Sequence, residues 1–200
     1  NFGGTEVIVI SLCDQGIPLP AICVNDTITI NVSAQIFASA GPDTTICETS
    51  DYYIGTAFAQ NYTSVYWTTS GSGYFNNDWT VNPVYTPSLP DIESGSVILT
   101  MHVIGIAPCS NTDVSMTLNI NRQAVVYAGP DDIICETQGS YTLVNATGIN
   151  AVSYLWTSSG TGTFDYDTII NATYTPSIDD IEAGSVILTL TGFSTTPCVD

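Results

Sequence analysis

The sequence predicts an all-β chain of tandem immunoglobulin-like Greek-key β-sandwiches. Three observations carry this expectation. The chain is rich in Thr (28), with Val, Ile and Tyr, while 16 Gly and 10 Pro punctuate it. Those types suit pleated, half-buried strands joined by tight turns. A long internal repeat divides the chain, and apolar runs of strand length recur within each copy.

The repeat is legible residue by residue. AGPDTTICET from Ala40 answers AGPDDIICET from Ala128, and YWTTSGSGYF (66–75) answers LWTSSGTGTF (155–164). YTPSLPDIESGSVILT (85–100) answers YTPSIDDIEAGSVILT (174–189), and Pro108-Cys109 answers Pro197-Cys198. The offset is 88 at Cys47 and Cys135 and 89 from Trp67 and Trp156 onward, so one insertion lies between. A period of that size exceeds most solenoid repeats and matches a complete sandwich. The boundaries follow as 38–122 for the first repeat and 123–200 for the second, which lacks a last strand. Residues 1–37 form the closing hairpin of a preceding domain, with Cys13 and Cys23 at its base.

Within the first repeat, strands are expected near 44–48, 51–58, 63–69, 73–75, 81–86, 96–106 and 112–121. Alternation is clearest in Val114, Met116, Leu118 and Ile120, which should face a core while Ser115, Thr117 and Asn119 face water. Pro90 to Glu93 reads as a single helical turn, where acidic residues suit the start.

Charge and sulfur narrow the function. One Arg, no Lys and 19 acidic residues give a net charge of -18, which repels nucleic acid and anionic lipid. No apolar run reaches the roughly 18 residues of a membrane-spanning helix, so neither nucleic acid nor direct membrane insertion is expected. Six cysteines with one His (His102) and no CxxC argue for structural disulfides in an oxidising, extracellular compartment. The repeat selects one of 15 possible pairings: Cys13–Cys23, Cys47–Cys109 and Cys135–Cys198, one bridge per domain.

At these residues the chain resembles the immunoglobulin-like repeats of giant Bacteroidota surface proteins, including gliding-motility adhesins and other type IX secretion substrates. AGPD-x-x-ICE, the Trp-centred turn, YTPS-x-x-DI-x-x-GSVILT and the closing Pro-Cys carry the resemblance over about 40–200. VISLCDQGIPLPAIC (9–23) is similar to the end of a cadherin-like repeat. The resemblance implies export, a cell-surface or filament location, an adhesive or stalk role, and no catalytic residues.

Individual candidates have two readings each. Trp67 and Trp156 are core tryptophans of a sheet or an aromatic platform for sugars; among exposed aromatics, Trp79 with Tyr74 is the candidate ligand contact. Asp43, Asp131 and Asp132 are candidate calcium ligands at domain hand-overs, against a solvated acidic surface. Asp91, Glu93, Asp179, Asp180 and Glu182 cluster in equivalent turns, where Asp also caps. The resemblance adds D-[ST]-x sites for O-glycosylation at Thr27, Thr44 and Thr168. No nucleophile–base arrangement or dinucleotide fingerprint is present, so no enzyme and no cofactor other than calcium is expected. The functional expectation is a disulfide-stapled spacer or adhesion array joined by short AGPD linkers, with other copies, neighbouring domains or surface glycans as partners. The alternatives are a filament subunit completed by strand exchange and a carbohydrate-binding module of a secreted enzyme.

Overall fold

The computed structural model describes residues 4–13 and 23–199. Strand β1 (Gly4–Cys13) pairs antiparallel with β2 (Cys23–Val32), from Gly4 opposite Val32 to Cys13 opposite Cys23. A disulfide between those two cysteines closes the ladder. The expected loop between them, 14–22, lies outside the described residues. Period-2 alternation gives the hairpin one apolar face, with Ile8, Ile10 and Leu12 across from Ile28, Asp26 and Val24. That face is bare: Ile8, Ile10, Leu12 and Ile28 are all exposed.

The first repeat continues through β3 (Phe37–Ser39), β4 (Thr44–Cys47), β5 (Tyr52–Tyr53), β6 (Phe58–Gln60), β7 (Tyr62–Thr69), β8 (Tyr74–Phe75) and β9 (Val84–Thr86). A short helix α1 (Leu89–Ser94) then leads into β10 (Ser96–Gly105) and β11 (Thr112–Asn121). One sheet has the order β4-β11-β10-β7, with β4 parallel to β11 and the other pairs antiparallel. The pair β3-β6 and the sheet β5-β9-β8 supply the facing layer. Between them lies a core that includes Trp67, Tyr85, Leu99, Met101, Met116, Leu118 and Ile120, all nearly sealed from solvent. The alternation expected of 112–121 therefore holds: Met116, Leu118 and Ile120 face inward.

Ala40 belongs to that core, which corrects the expected linker role of AGPD. The turn lies inside the sandwich, carrying the chain from β3 in one layer to β4 in the other. Gly41 permits it, because its φ is +95° and a Cβ there would meet Thr56 Oγ1. The passage between repeats is Arg122–Ala124, from the end of β11 to the next strand.

The second repeat reuses most of this plan: β12 (Val125–Tyr127), β13 (Tyr141–Thr142), β14 (Thr147–Ile149), β15 (Ala151–Ser158), β16 (Thr163–Phe164), β17 (Thr173–Thr175), α2 (Ile178–Ala183) and β18 (Leu188–Ser194). Pairs β12-β14, β13-β17-β16 and β15-β18 match β3-β6, β5-β9-β8 and β7-β10. Among the described residues no strand corresponds to β11, and residues 131–135, the counterpart of β4, form none. Its core is smaller, built on Leu143, Ala146, Trp156, Ala172 and Leu190.

Candidate functional site

The most elaborated place in the molecule is the junction between repeats. The parallel pairing of β4 with β11 brings Cys47 opposite Asn121. The Pro-Cys turn of the second repeat sets Cys198 Sγ 3.3 Å from the Asn121 carbonyl oxygen. Cys47 and Cys198 are joined by a disulfide. Both are buried. Around the bridge, Asn121 Nδ2 donates to the Thr196 carbonyl (2.7 Å), Gln123 Nε2 to the Val199 carbonyl (2.8 Å) and the Gln123 amide to Glu48 Oε1 (2.8 Å). Asn150, held at a left-handed φ of 58° that Asn tolerates, donates from Nδ2 to the Gln123 carbonyl (3.2 Å). Arg122 Nε lies 3.6 Å from Glu48 Oε2.

This bridge overturns the expected pairing of Cys47 with Cys109 and of Cys135 with Cys198. The reason is strand direction. Cys47 sits at the end of β4 beside the last residue of β11, whereas Cys109 precedes the first residue of β11. Ten residues of strand at about 3.3 Å each separate the two ends by roughly 30 Å, far beyond disulfide reach. Cys109 and Cys135 instead carry free thiols, the first half-buried and the second exposed. Thr137 donates from Oγ1 to Cys135 Sγ at 3.2 Å, and this bond, with the Thr137 amide, holds the thiol below its ordinary pKa.

The same junction is built a second time, between the hairpin and the first repeat. Ser33 Oγ donates to the Ala107 carbonyl (3.2 Å), as Asn121 does to Thr196. Asn61, with φ 57°, donates to the Gln35 carbonyl (2.9 Å), as Asn150 does to Gln123. Cys109 Sγ lies 3.6 and 3.5 Å from the Ser33 and Ala34 carbonyls, the place Cys198 takes beside Asn121.

Beside Cys135 the second repeat has an open cleft lined by Ile134, Leu143, Trp156, Tyr174, Val186 and Leu188. In the first repeat the corresponding space is filled by β11, through Met116, Leu118 and Ile120.

The acidic candidates separate into two kinds. Asp91 and Asp180 are buried and structural. Each is the third residue of its helix and completes a capping box with Ser88 or Ser177. Asp91 also accepts from the amides of Ser72 and Gly73 (2.8 Å each) and from Tyr85 Oη (2.7 Å). Asp180 does the same with Thr161, Gly162 and Tyr174. Burial raises the Asp91 pKa, but the donors of Ser88, Ser72 and Tyr85 outweigh it and leave the carboxyl below its usual range. For Asp180 the Ser177 amide and Tyr174 hydroxyl dominate and hold it at about 2. Burial pushes the Tyr85 phenol up to about 12. These carboxylates pin the Ser-Gly turn to the helix. A Cβ at Gly71 or Gly160 would collide with them.

The calcium candidates are not gathered. Asp43 Oδ1 accepts from the Thr117 amide (2.7 Å) within the first repeat, and Asp132 Oδ1 from the Ile133 amide (2.8 Å) in the second. Among the described residues no group of three or more His, Cys, Asp or Glu stands close enough to hold a metal ion. Thr27 and Thr168 are exposed and Thr44 is half-buried.

Trp67 and Trp156 are core residues, each about 2% exposed, with Nε1 donating to the carbonyl of Thr80 (3.0 Å) or Ile170 (3.2 Å). Trp79 is 64% exposed, but its ring partner is Tyr66 (centroids 5.6 Å apart), not Tyr74. Tyr66 stacks in turn on His102 (4.5 Å), whose Nδ1 is 2.9 Å from Asp113 Oδ1 and whose Nε2 is 2.9 Å from Thr68 Oγ1. Tyr74 stands on β8, in the other layer. Cross-strand pairing of Tyr66 with His102 is the signal that linear reading misses.

No protein-family model matches the chain, and no curated protein matches it. Solved structures that resemble it include cadherin ectodomains. Protocadherin gamma B7 extracellular cadherin domains 1–4 share 13% identity over 98% of this chain and 55% of that one, with a TM-score of 0.47. For protocadherin gamma B2 domains 3–6 the values are 14%, 86%, 50% and 0.43. The human desmocollin-1 ectodomain gives 15%, 87%, 40% and 0.35. The chain spans about half the length of these structures or less.

Proposed function

We propose that this chain is a structural and adhesive repeat region of a large secreted cell-surface protein, working as a disulfide-stapled spacer and catalysing no reaction. The observation that carries the reading is the Cys47–Cys198 bridge, which fastens one repeat to the next rather than closing a single one. A hinge between two sandwiches is ordinarily free to bend and to part under load. Here it is clamped covalently, with Asn121, Gln123 and Glu48 hydrogen-bonding around the clamp. The two disulfides favour an oxidising, extracellular setting.

Force spectroscopy on the chain held at its two ends tests the proposal. With the bridge intact, tension passes from Cys47 to Cys198 and bypasses the 151-residue separation between them. Reduction should release an added contour length on the order of 500 Å, at about 3.3–3.6 Å per residue. Equal contour lengths in oxidised and reduced chains would refute the staple.

A second reading, strand completion between chains in a filament, draws on the cleft beside Ile134 and Trp156. Its occupant is a strand patterned like Thr112–Asn121, antiparallel to β18 and parallel to 131–135. A peptide of that sequence should bind in one-to-one ratio and quench the fluorescence of the second repeat. Failure to bind would remove this reading.

A further inference from the structure

The two free thiols occupy the two positions that are bonded at the central junction. Cys135 is the repeat counterpart of Cys47, and Cys109 that of Cys198. Cys109 also has the local setting of its bonded counterpart, with its sulfur beside the carbonyls of Ser33 and Ala34 where Cys198 Sγ stands beside Asn121. The hairpin agrees in register. Ile8 faces Ile28 as Leu99 faces Met116, so β2 is to Cys109 what β11 is to Cys198. The edge of β2 away from β1 has no strand among the described residues. A parallel strand there, in the register of β4 on β11, would place its last residue opposite Ser33, as Cys47 lies opposite Asn121.

We propose that Cys109 and Cys135 are the open ends of a disulfide ladder that runs from repeat to repeat. Cys135 bonds the Pro-Cys cysteine of a repeat placed after it, and Cys109 bonds the edge-strand cysteine of a repeat placed before it. The inference rests on the tandem-array reading and adds the rule of connection: the edge-strand cysteine of each repeat bonds the Pro-Cys cysteine of the next, while the Cys13–Cys23 bond closes a hairpin loop and stands outside the ladder. Each rung consumes one disulfide-bearing oxidant, such as a thiol–disulfide oxidoreductase. The Cys135 thiolate attacks the oxidant's disulfide and expels one thiolate. The partner cysteine then displaces the second, and two electrons and two protons leave with the reduced oxidant. The exposure of Cys135 and its bond from Thr137 favour the first attack.

The test extends the full chain by a second copy of residues 112–200, which continues the repeat in register because Val199 and Asp200 stand where Ser110 and Asn111 do. The addition brings two more cysteines. The ladder predicts that Cys135 bonds the appended copy of Cys198, so the thiol count under denaturing conditions stays at two: Cys109 and the appended copy of Cys135. Trypsin cuts the original only at Arg122 and the extension only at its copy. Without reductant the three fragments should therefore remain one species, and separate on reduction. Four thiols, or Cys135 recovered with Cys198 of its own repeat, would overturn the proposal. Recovery of Cys47–Cys198 in the same digest shows that the molecule folded, so an unpaired Cys135 beside that bond counts against the ladder. Small-angle scattering distinguishes the two ideas. An array reading without a ladder still predicts a maximum dimension that grows by one sandwich length.

Discussion

The two repeats share the same helix cap, the same core tryptophan and the same Pro-Cys turn, yet their interiors differ. In the first, Val97, Leu99 and Met101 are sealed by β11. In the second the matching residues Val186 and Leu188 are half-buried, and only Leu190 is buried. Ile46 is buried while its counterpart Ile134 is only half-buried. One strand accounts for the contrast. Among the described residues there is no partner equivalent to β11, residues 131–135 pair with no strand, and Ser185–Ile187 leave the strand conformation. The comparison teaches that the closing strand joins the edge strand β4 to the rest of its sheet, since β4 and β10 each pair with it directly.

The largest effect should come from supplying that strand. Appending residues 112–122 after Asp200 gives the second repeat its own counterparts of Met116, Leu118 and Ile120. At about 1.5–3 kcal/mol for each buried side chain the gain is on the order of 5 kcal/mol. Thermal unfolding should show the lower transition rising by about 20 °C. An unchanged transition would mean that the second repeat is not limited by this strand.

Much of the fold is legible in the amino-acid sequence. Alternation in Val114–Ile120 places the core face correctly, and DIESG announces a cap. The disulfide pairing is not legible, for a physical reason. Repeat equivalence says which cysteines are alike, but a bond within a repeat and a bond to the next repeat are equally periodic. Only strand direction separates them, because β4 runs parallel to β11 and delivers Cys47 to the end of the sandwich away from Cys109. AGPD misleads similarly: Gly and Pro mark a change of direction, and here the change is between layers rather than domains. The lack of a repeat counterpart marks Trp79 as an exposed aromatic, but its companions Tyr66 and His102 come together only through cross-strand pairing.

The paired carboxylates sharpen the comparison next. Asp91→Ala removes the acceptor shared by the amides of Ser72 and Gly73 at the margin of the core and by the buried Tyr85 hydroxyl, which keeps only Thr69 Oγ1 as a partner. A loss of about 3 kcal/mol is expected, since an unsatisfied buried group costs roughly 1–3 kcal/mol. Asp180→Ala should cost less, because the cleft beside it lets water reach the orphaned donors. Equal losses in urea titrations of the two variants would show that the open cleft does not reach the Asp180 site.

The pH response should draw on the same groups, the carboxylate on the acid side and the phenol on the alkaline side of each repeat. Asp180 has its folded pKa lowered to about 2, so its contribution is complete above the ordinary carboxyl range near pH 4 and disappears as pH falls towards 2. Tyr85 has its folded pKa raised to about 12, so its contribution is complete below about pH 10 and is lost as pH rises through 12. Asp180→Asn should therefore flatten the acid limb of the second repeat, and Tyr85→Phe the alkaline limb of the first. Denaturant midpoints read against pH, with tyrosinate absorbance as a direct probe, check both. An acid limb already complete at pH 4 would contradict the donor set around Asp180.

The smallest effect on stability belongs to the feature that most distinguishes the first repeat's surface. Trp79, Tyr66 and His102 form a row, with Trp79 tilted against Tyr66 and Tyr66 stacked on His102, whose counterparts in the second repeat are Thr168, Leu155 and Thr191. Trp79 is largely exposed and its indole covers only part of Tyr66, so Trp79→Ala should change stability by about 0.5 kcal/mol or less. Against that small cost, an exposed aromatic face beside Asp113 and Thr68 suits stacking on a sugar ring, with polar groups at its margin. A glycan array probed with the full chain and with Trp79→Ala separates two uses of the first repeat. Binding that vanishes in the variant while the melting temperature holds would add carbohydrate recognition to the spacer. No binding by either chain would leave the row as surface packing over β7 and β10.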